Sequence, residues 1–152
     1  MNWRRSLLVA ESELVHPSHW IARWALVASG LAICLALATA RCLTPDERGY
    51  GTHQQLGLPP CSGRYLWRGV CPSCGMTTSW SWMMRGNLVR AAEANISGLA
   101  MGIAATLAML WLLISGFRGR WWIGFPHPWL FATITGSVAI LALLSWLQKM
   151  FF

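Results

Sequence analysis

The sharpest chemical signal in the sequence is Cys71-Pro72-Ser73-Cys74-Gly75, with Cys61 upstream and nine residues between Cys61 and Cys71. Three chemistries fit these residue types at this spacing. The first is zinc: a C-P-x-C-G turn lets two thiolates converge while glycine leaves backbone N–H groups facing sulfur. A closed structural site needs four ligands, so Cys61 would be the third and Cys42 or His53 the fourth. A second C-x-x-C, which would strengthen this reading, is absent. The second is thiol–disulfide exchange, with Cys71 and Cys74 as the reactive pair. Residues after Cys74 read as helix, and a helix N-terminus stabilises thiolate. No βαβ pattern surrounds the motif, which excludes a thioredoxin fold and leaves only a helical membrane oxidoreductase. The third is a structural disulfide, formed where the segment faces an oxidising compartment. Disulfide and zinc stand ahead of exchange.

Other reactive groups carry less. Cys34 lies inside an apolar run and reads as a small apolar residue. His16 and His19 flank Pro17, a weak arrangement for metal. The five acids, Glu11, Glu13, Asp46, Glu47 and Glu93, all lie outside the apolar runs, so no intramembrane carboxylate is available for a proton relay. No phosphate-binding glycine loop is present, and a hydrolase triad lacks a placed acid for its histidine.

These residues need a scaffold, and composition says which kind. Charged residues make up 11% of the 152-residue chain, against roughly 25% in an ordinary soluble domain. Hydrophobic residues reach 55%, with 11 tryptophans, the side chain that settles at the membrane interface. The net charge of +7 comes from arginines scattered beside apolar runs. That pattern suits anionic lipid headgroups and offers no basic patch for nucleic acid.

The expected fold is an all-α integral membrane domain of about three transmembrane helices, with a Cys-rich loop and short amphipathic helices between the first and second. Residues 1–20 form a polar arm. A first span covers 20–40, uncharged from Trp24 to Ala40 and near the ~20 residues a bilayer requires. Ala38-Thr39-Ala40 resembles a signal-peptidase site, but the apolar run exceeds the roughly 7–15 residues of a signal sequence. Residues 41–95 hold the Cys loop and two interfacial helices, near 75–85 and 88–94. Gly86 suits a left-handed helix end and Asn87 the next N-cap, so the side chain of Asn87 should accept from Val89 or Arg90. A second span covers 96–117, where Gly98 and Gly102 form a G-x-x-x-G that admits a close neighbour. A third covers 129–147, after an aromatic and basic hairpin. Setting aside Arg64 and Arg68, deep in the loop, five basic residues fall on each side of such a three-span chain. The short Arg118–Arg120 hairpin favours an internal N-terminus.

Residues 49–98 resemble the bacterial membrane-protein family called domain of unknown function 2752. The resemblance rests on Leu56-Gly57-Leu58-Pro59-Pro60-Cys61, Cys71-Pro72-Ser73-Cys74-Gly75-Met76-Thr77, Arg85-Gly86-Asn87-Leu88 and Ala94-Asn95. Thr78 stands where that family usually has Arg, and Ile96 where it usually has Pro. An anion or substrate contact made by that Arg would be missing here. The resemblance implies a small multi-span membrane protein with a cysteine site, and no activity.

Three functional classes follow, in order: a structural or accessory membrane subunit, a membrane thiol oxidoreductase, and a metal-binding regulatory membrane protein. The expected surroundings are the lipid bilayer, a larger membrane complex or a second copy of the chain, and no nucleic acid. The expected location is a bacterial inner membrane.

Overall fold

The uncharged run after Arg23 forms a single helix, α1 (Trp20–Cys42), and the run beginning at Ile96 forms another, α4 (Ile96–Arg118). Each has 23 residues, about 34 Å at 1.5 Å per residue, enough to cross a hydrocarbon core. Between them lie a 3₁₀ turn (Thr52–Leu56), α2 (Met76–Met83) and α3 (Leu88–Ala94); α5 (Pro128–Phe151) follows. This computed structural model describes residues 20–61, 63, 71–123 and 128–151, and no strand occurs among them. The polar arm with His16 and His19, the loop arginines Arg64 and Arg68, and Pro126-His127 lie outside the described residues.

α1 and α4 are the two helices long and apolar enough to span a membrane. Only 17% of each apolar window is buried within the chain, whereas the core helix of a soluble protein would be mostly covered. Trp24, Leu35, Leu107 and Phe117 are all at least 63% exposed, as lipid-facing side chains are when the chain stands alone. The third expected span falls on α5, whose described apolar stretch is the shorter Ala132–Leu147.

Two compact units emerge from the contacts. One is built on the described parts of Met1–Cys34 and Thr106–Pro126. There Gly30 and Gly116 let α1 and α4 approach closely. A Cβ on Gly116 would stand 2.7 Å from Val27 Cγ2, and one on Gly30 would stand 2.8 Å from Leu113 Cδ2. Arg23 ties the same pair: its Nε donates to the Gly116 carbonyl and its Nη2 to that of Phe117, both at 3.2 Å. Those carbonyls belong to the last turn of α4, which has no intrahelical donors for them, and a cation there also meets the negative end of the helix dipole.

The other unit comprises Leu35–Ala105 with the described part of His127–Phe152, and it holds the cysteine turn. α2 runs along the first turns of α4. A Cβ on Gly98 would meet Ser79 and Met76 at 3.1 and 3.2 Å, and one on Gly102 would meet Met83 Sδ at 2.7 Å. The close neighbour admitted by the G-x-x-x-G is therefore the chain's own α2. Trp80 Nε1 adds a hydrogen bond to the Gly98 carbonyl at 2.8 Å. Gly86 takes the left-handed φ of 79° that separates α2 from α3. Asn87 caps α3 as expected, its Oδ1 accepting from the Arg90 N–H at 3.0 Å.

Candidate functional site

Proline at the second position of a four-residue turn is pre-set for a β-turn, and Cys71–Cys74 forms one. The Cys74 N–H donates to the Cys71 carbonyl at 3.0 Å. Gly75 follows with φ 87°, a left-handed value that side chains disfavour. A Cβ there would collide with the Gly49 carbonyl and stand 2.7 Å from the Ala94 carbonyl oxygen. The glycine of C-P-x-C-G is thus the point where three stretches of backbone touch: the cysteine turn, the loop before the 3₁₀ turn, and the end of α3.

Asn95 locks this junction. Its Nδ2 donates to the carbonyls of Pro72 (3.1 Å) and Cys74 (3.0 Å), while its Oδ1 accepts from Ser97 Oγ (2.6 Å) and the Gly98 N–H (2.8 Å). One buried side chain therefore caps α4 at its N-terminus and holds the cysteine turn against it. The Asn95 carbonyl also receives Ser79 Oγ from α2 at 3.0 Å. Ile96 occupies the first helical position, where proline is favoured because its missing N–H is not needed. Isoleucine at this position is compatible with the Asn95 cap.

A second set of polar groups fixes α2 to the end of α1. Arg85 Nη2 and Ser81 Oγ both donate to the Leu43 carbonyl at 2.8 Å, and Arg85 Nη1 also reaches Ser81. Thr78 is fully buried, its hydroxyl 2.8 Å from that of Thr52, which in turn accepts from the Asp46 N–H at 3.0 Å. Thr78 is thus a neutral hydroxyl satisfied inside the fold.

Among the cysteines, the turn brings Cys71 to Cys61. Both are free thiols, and Cys61 lies near enough to act on the ionisation of Cys71. Burial pushes the Cys71 thiol above its ordinary range; the Ser73 N–H opposes this, and Cys61 adds to it. Cys34 and Cys42 are exposed on α1. Among the described residues, no group of three or more His, Cys, Asp or Glu side chains is arranged to hold a metal ion. Sequence alone assigns no role to Ser79 or Ser81, and Arg85 and Asn95 enter only within a family pattern. The signals the sequence offers are the Thr and Ser residues within α2 and an Asn directly before an apolar run.

These features define a small helical protein with two candidate membrane spans and a cysteine turn pinned at the start of the second. Residues 61–113 match the family described as Protein of unknown function (DUF2752), the one its motifs resemble. No curated protein and no solved structure matches the chain.

Proposed function

We propose that this chain is a structural or accessory subunit of a membrane complex, with three spans and a rigid cysteine-bearing platform between the first two. Cys61 and Cys71 are its disulfide pair. The observation that carries this reading is that Cys61 lies near enough to raise the Cys71 thiol, beside a turn fixed by Asn95 and Gly75. A nucleophilic cysteine needs a lowered pKa, and Cys71 is shifted the other way. That supports a structural role over thiol exchange, and a pair of neighbouring thiols supports a disulfide over a four-ligand zinc site. With α5 as the third span and the N-terminus inside, the platform faces out of the cytoplasm. In a bacterial inner membrane that side is oxidising, as a disulfide requires. Closing the bond releases two protons and passes two electrons to an oxidant such as a small disulfide.

The test is serine replacement of Cys61, Cys71 and Cys74, singly and as the Cys61/Cys71 double variant, with folded yield and metal content measured. The account expects Cys61→Ser and Cys71→Ser to lower yield alike, with no further loss in the double variant. Stoichiometric zinc lost on Cys74→Ser would establish the metal-binding reading instead. Unchanged yield with loss of exchange against a small disulfide would establish the oxidoreductase.

A further inference from the structure

A cleft of about 580 Å³ opens beside the platform, walled by Asp46–Gly49 on one side and by Trp82, Asn87 and α3 on the other. Its size falls within the ~300–1,000 Å³ of small-molecule sites. Five charged side chains line it. Two neutralise each other: Arg48 grips the Asp46 carboxylate with Nε at 3.0 Å and Nη2 at 2.7 Å, and holds that carboxyl below its usual range. Among the described residues, Arg48–Asp46 is the ion pair found; Glu47, Glu93 and Arg90 are exposed charges with no ion-pair partner among those residues. The Arg90 guanidinium lies over the Trp82 ring, 5.0 Å from its centre. A simple anion entering this cleft would meet two unpaired carboxylates, and a simple cation would meet Arg90. A zwitterion satisfies both sets of charges.

The position of the cleft narrows the ligand further. Leu43, one residue past the end of α1, sits level with Ser81 and Arg85 through their hydrogen bonds. Trp82 and Asn87 flank that level and begin the cleft. Val89 on its wall is 69% exposed and neighbouring Leu88 52%, so apolar side chains stand at the mouth beside the charges. On the reading of α1 and α4 as spans, this is the depth of lipid headgroups, where an apolar rim meets acyl chains and Trp82 is at home.

We propose that the cleft binds an amino-phosphate headgroup, that of a phosphatidylethanolamine-class lipid. Arg90 meets the phosphate, and Glu47 and Glu93 meet the ammonium. The proposal is independent of the cysteine chemistry and uses none of its residues.

Native mass spectrometry of the full chain, in detergent carrying equal amounts of phosphatidylethanolamine, phosphatidylcholine and phosphatidylglycerol, tests it. The expected result is selective retention of the ethanolamine lipid. Arg90→Gln and Glu93→Gln should each weaken retention by about tenfold, the loss of one charge-assisted contact. Glu47→Gln, in an exposed loop, gives a third readout should either helix variant fold poorly. Equal retention of all three lipids, or selectivity unchanged in all three variants, overturns the proposal. Soluble phosphoethanolamine is the second arm. If it binds with the same dependence on Arg90 and Glu93 while the lipid does not, a lipid is not the ligand.

Discussion

The side-chain amide of Asn95 donates to the carbonyl of Cys74 at 3.0 Å, so the residue that starts the second candidate span also holds the cysteine turn. Helix start and chemical motif are therefore one structural unit. Asn95→Ala removes a helix cap, worth ~1 kcal/mol, and strands two carbonyls. The total cost should be about 2–4 kcal/mol in denaturant unfolding in detergent. Asn95→Ser keeps a cap acceptor but is too short to reach the turn. It should cost less and still speed amide exchange at Cys74. A cost below about 0.5 kcal/mol for Asn95→Ala, no more than an ordinary surface change, would remove Asn95 from this role.

The part of this arrangement that sequence makes legible is the part encoded locally. The uncharged runs within α1 and α4 announce helices of spanning length, and Gly86-Asn87 announces a stop and a cap within four residues. The bonds of Asn95 reach back to Pro72 and Cys74, and those of Arg85 reach back to Leu43. Such partners are chosen by packing, which no periodicity records. The 3₁₀ turn is hidden for the same reason. It is closed by a two-way clasp between Gln55 and the backbone of Thr44, at 3.0 and 2.6 Å, set by how the loop returns to α1. The Gly98–Gly102 stripe correctly signals close approach, but its partner is only visible once α2 is seen beside it.

Two glycines with similar backbone angles should respond very differently to alanine. Gly86, at φ 79°, has open space around its Cβ position, so Gly86→Ala should cost about 1–2 kcal/mol, the left-handed penalty alone. Gly75→Ala adds collision with two carbonyls and should abolish folded yield. Equal yields, compared by size-exclusion chromatography in detergent, would contradict the three-way contact at Gly75.

Arg85 offers a further test of the platform. Arg85→Ala leaves the Leu43 carbonyl with Ser81 alone and should destabilise by about 1.5–3 kcal/mol, the range for a hydrogen bond to a charged group. Arg85→Lys should recover only part of this, since one ammonium cannot reproduce the fork that spans Ser81 and Leu43. Full rescue by lysine would show that charge alone matters there.

In the reduced protein, before the Cys61–Cys71 bond closes, the Cys71 thiol predicts a pH dependence. In the unfolded chain it ionises in the ordinary thiol range; in the fold its value is raised, by burial first and by Cys61 as well. Between the two values the unfolded chain has lost a proton that the folded chain keeps. This contribution to stability is thus present below the unfolded value and lost as pH rises through the folded one. Alkylation of Cys71, followed by peptide mass, should reach half its maximal rate at a higher pH in the folded protein than in denaturant. A lower pH in the folded protein would mark an activated thiolate and favour exchange chemistry.

The central claim is that the cysteine platform pairs Cys61 with Cys71. Mild oxidation of the purified full chain with a small disulfide, then alkylation and peptide mapping without reductant, tests it directly. The account predicts a linked peptide joining Cys61 to Cys71 as the main product. A bond between Cys71 and Cys74, formed in preference, would contradict it.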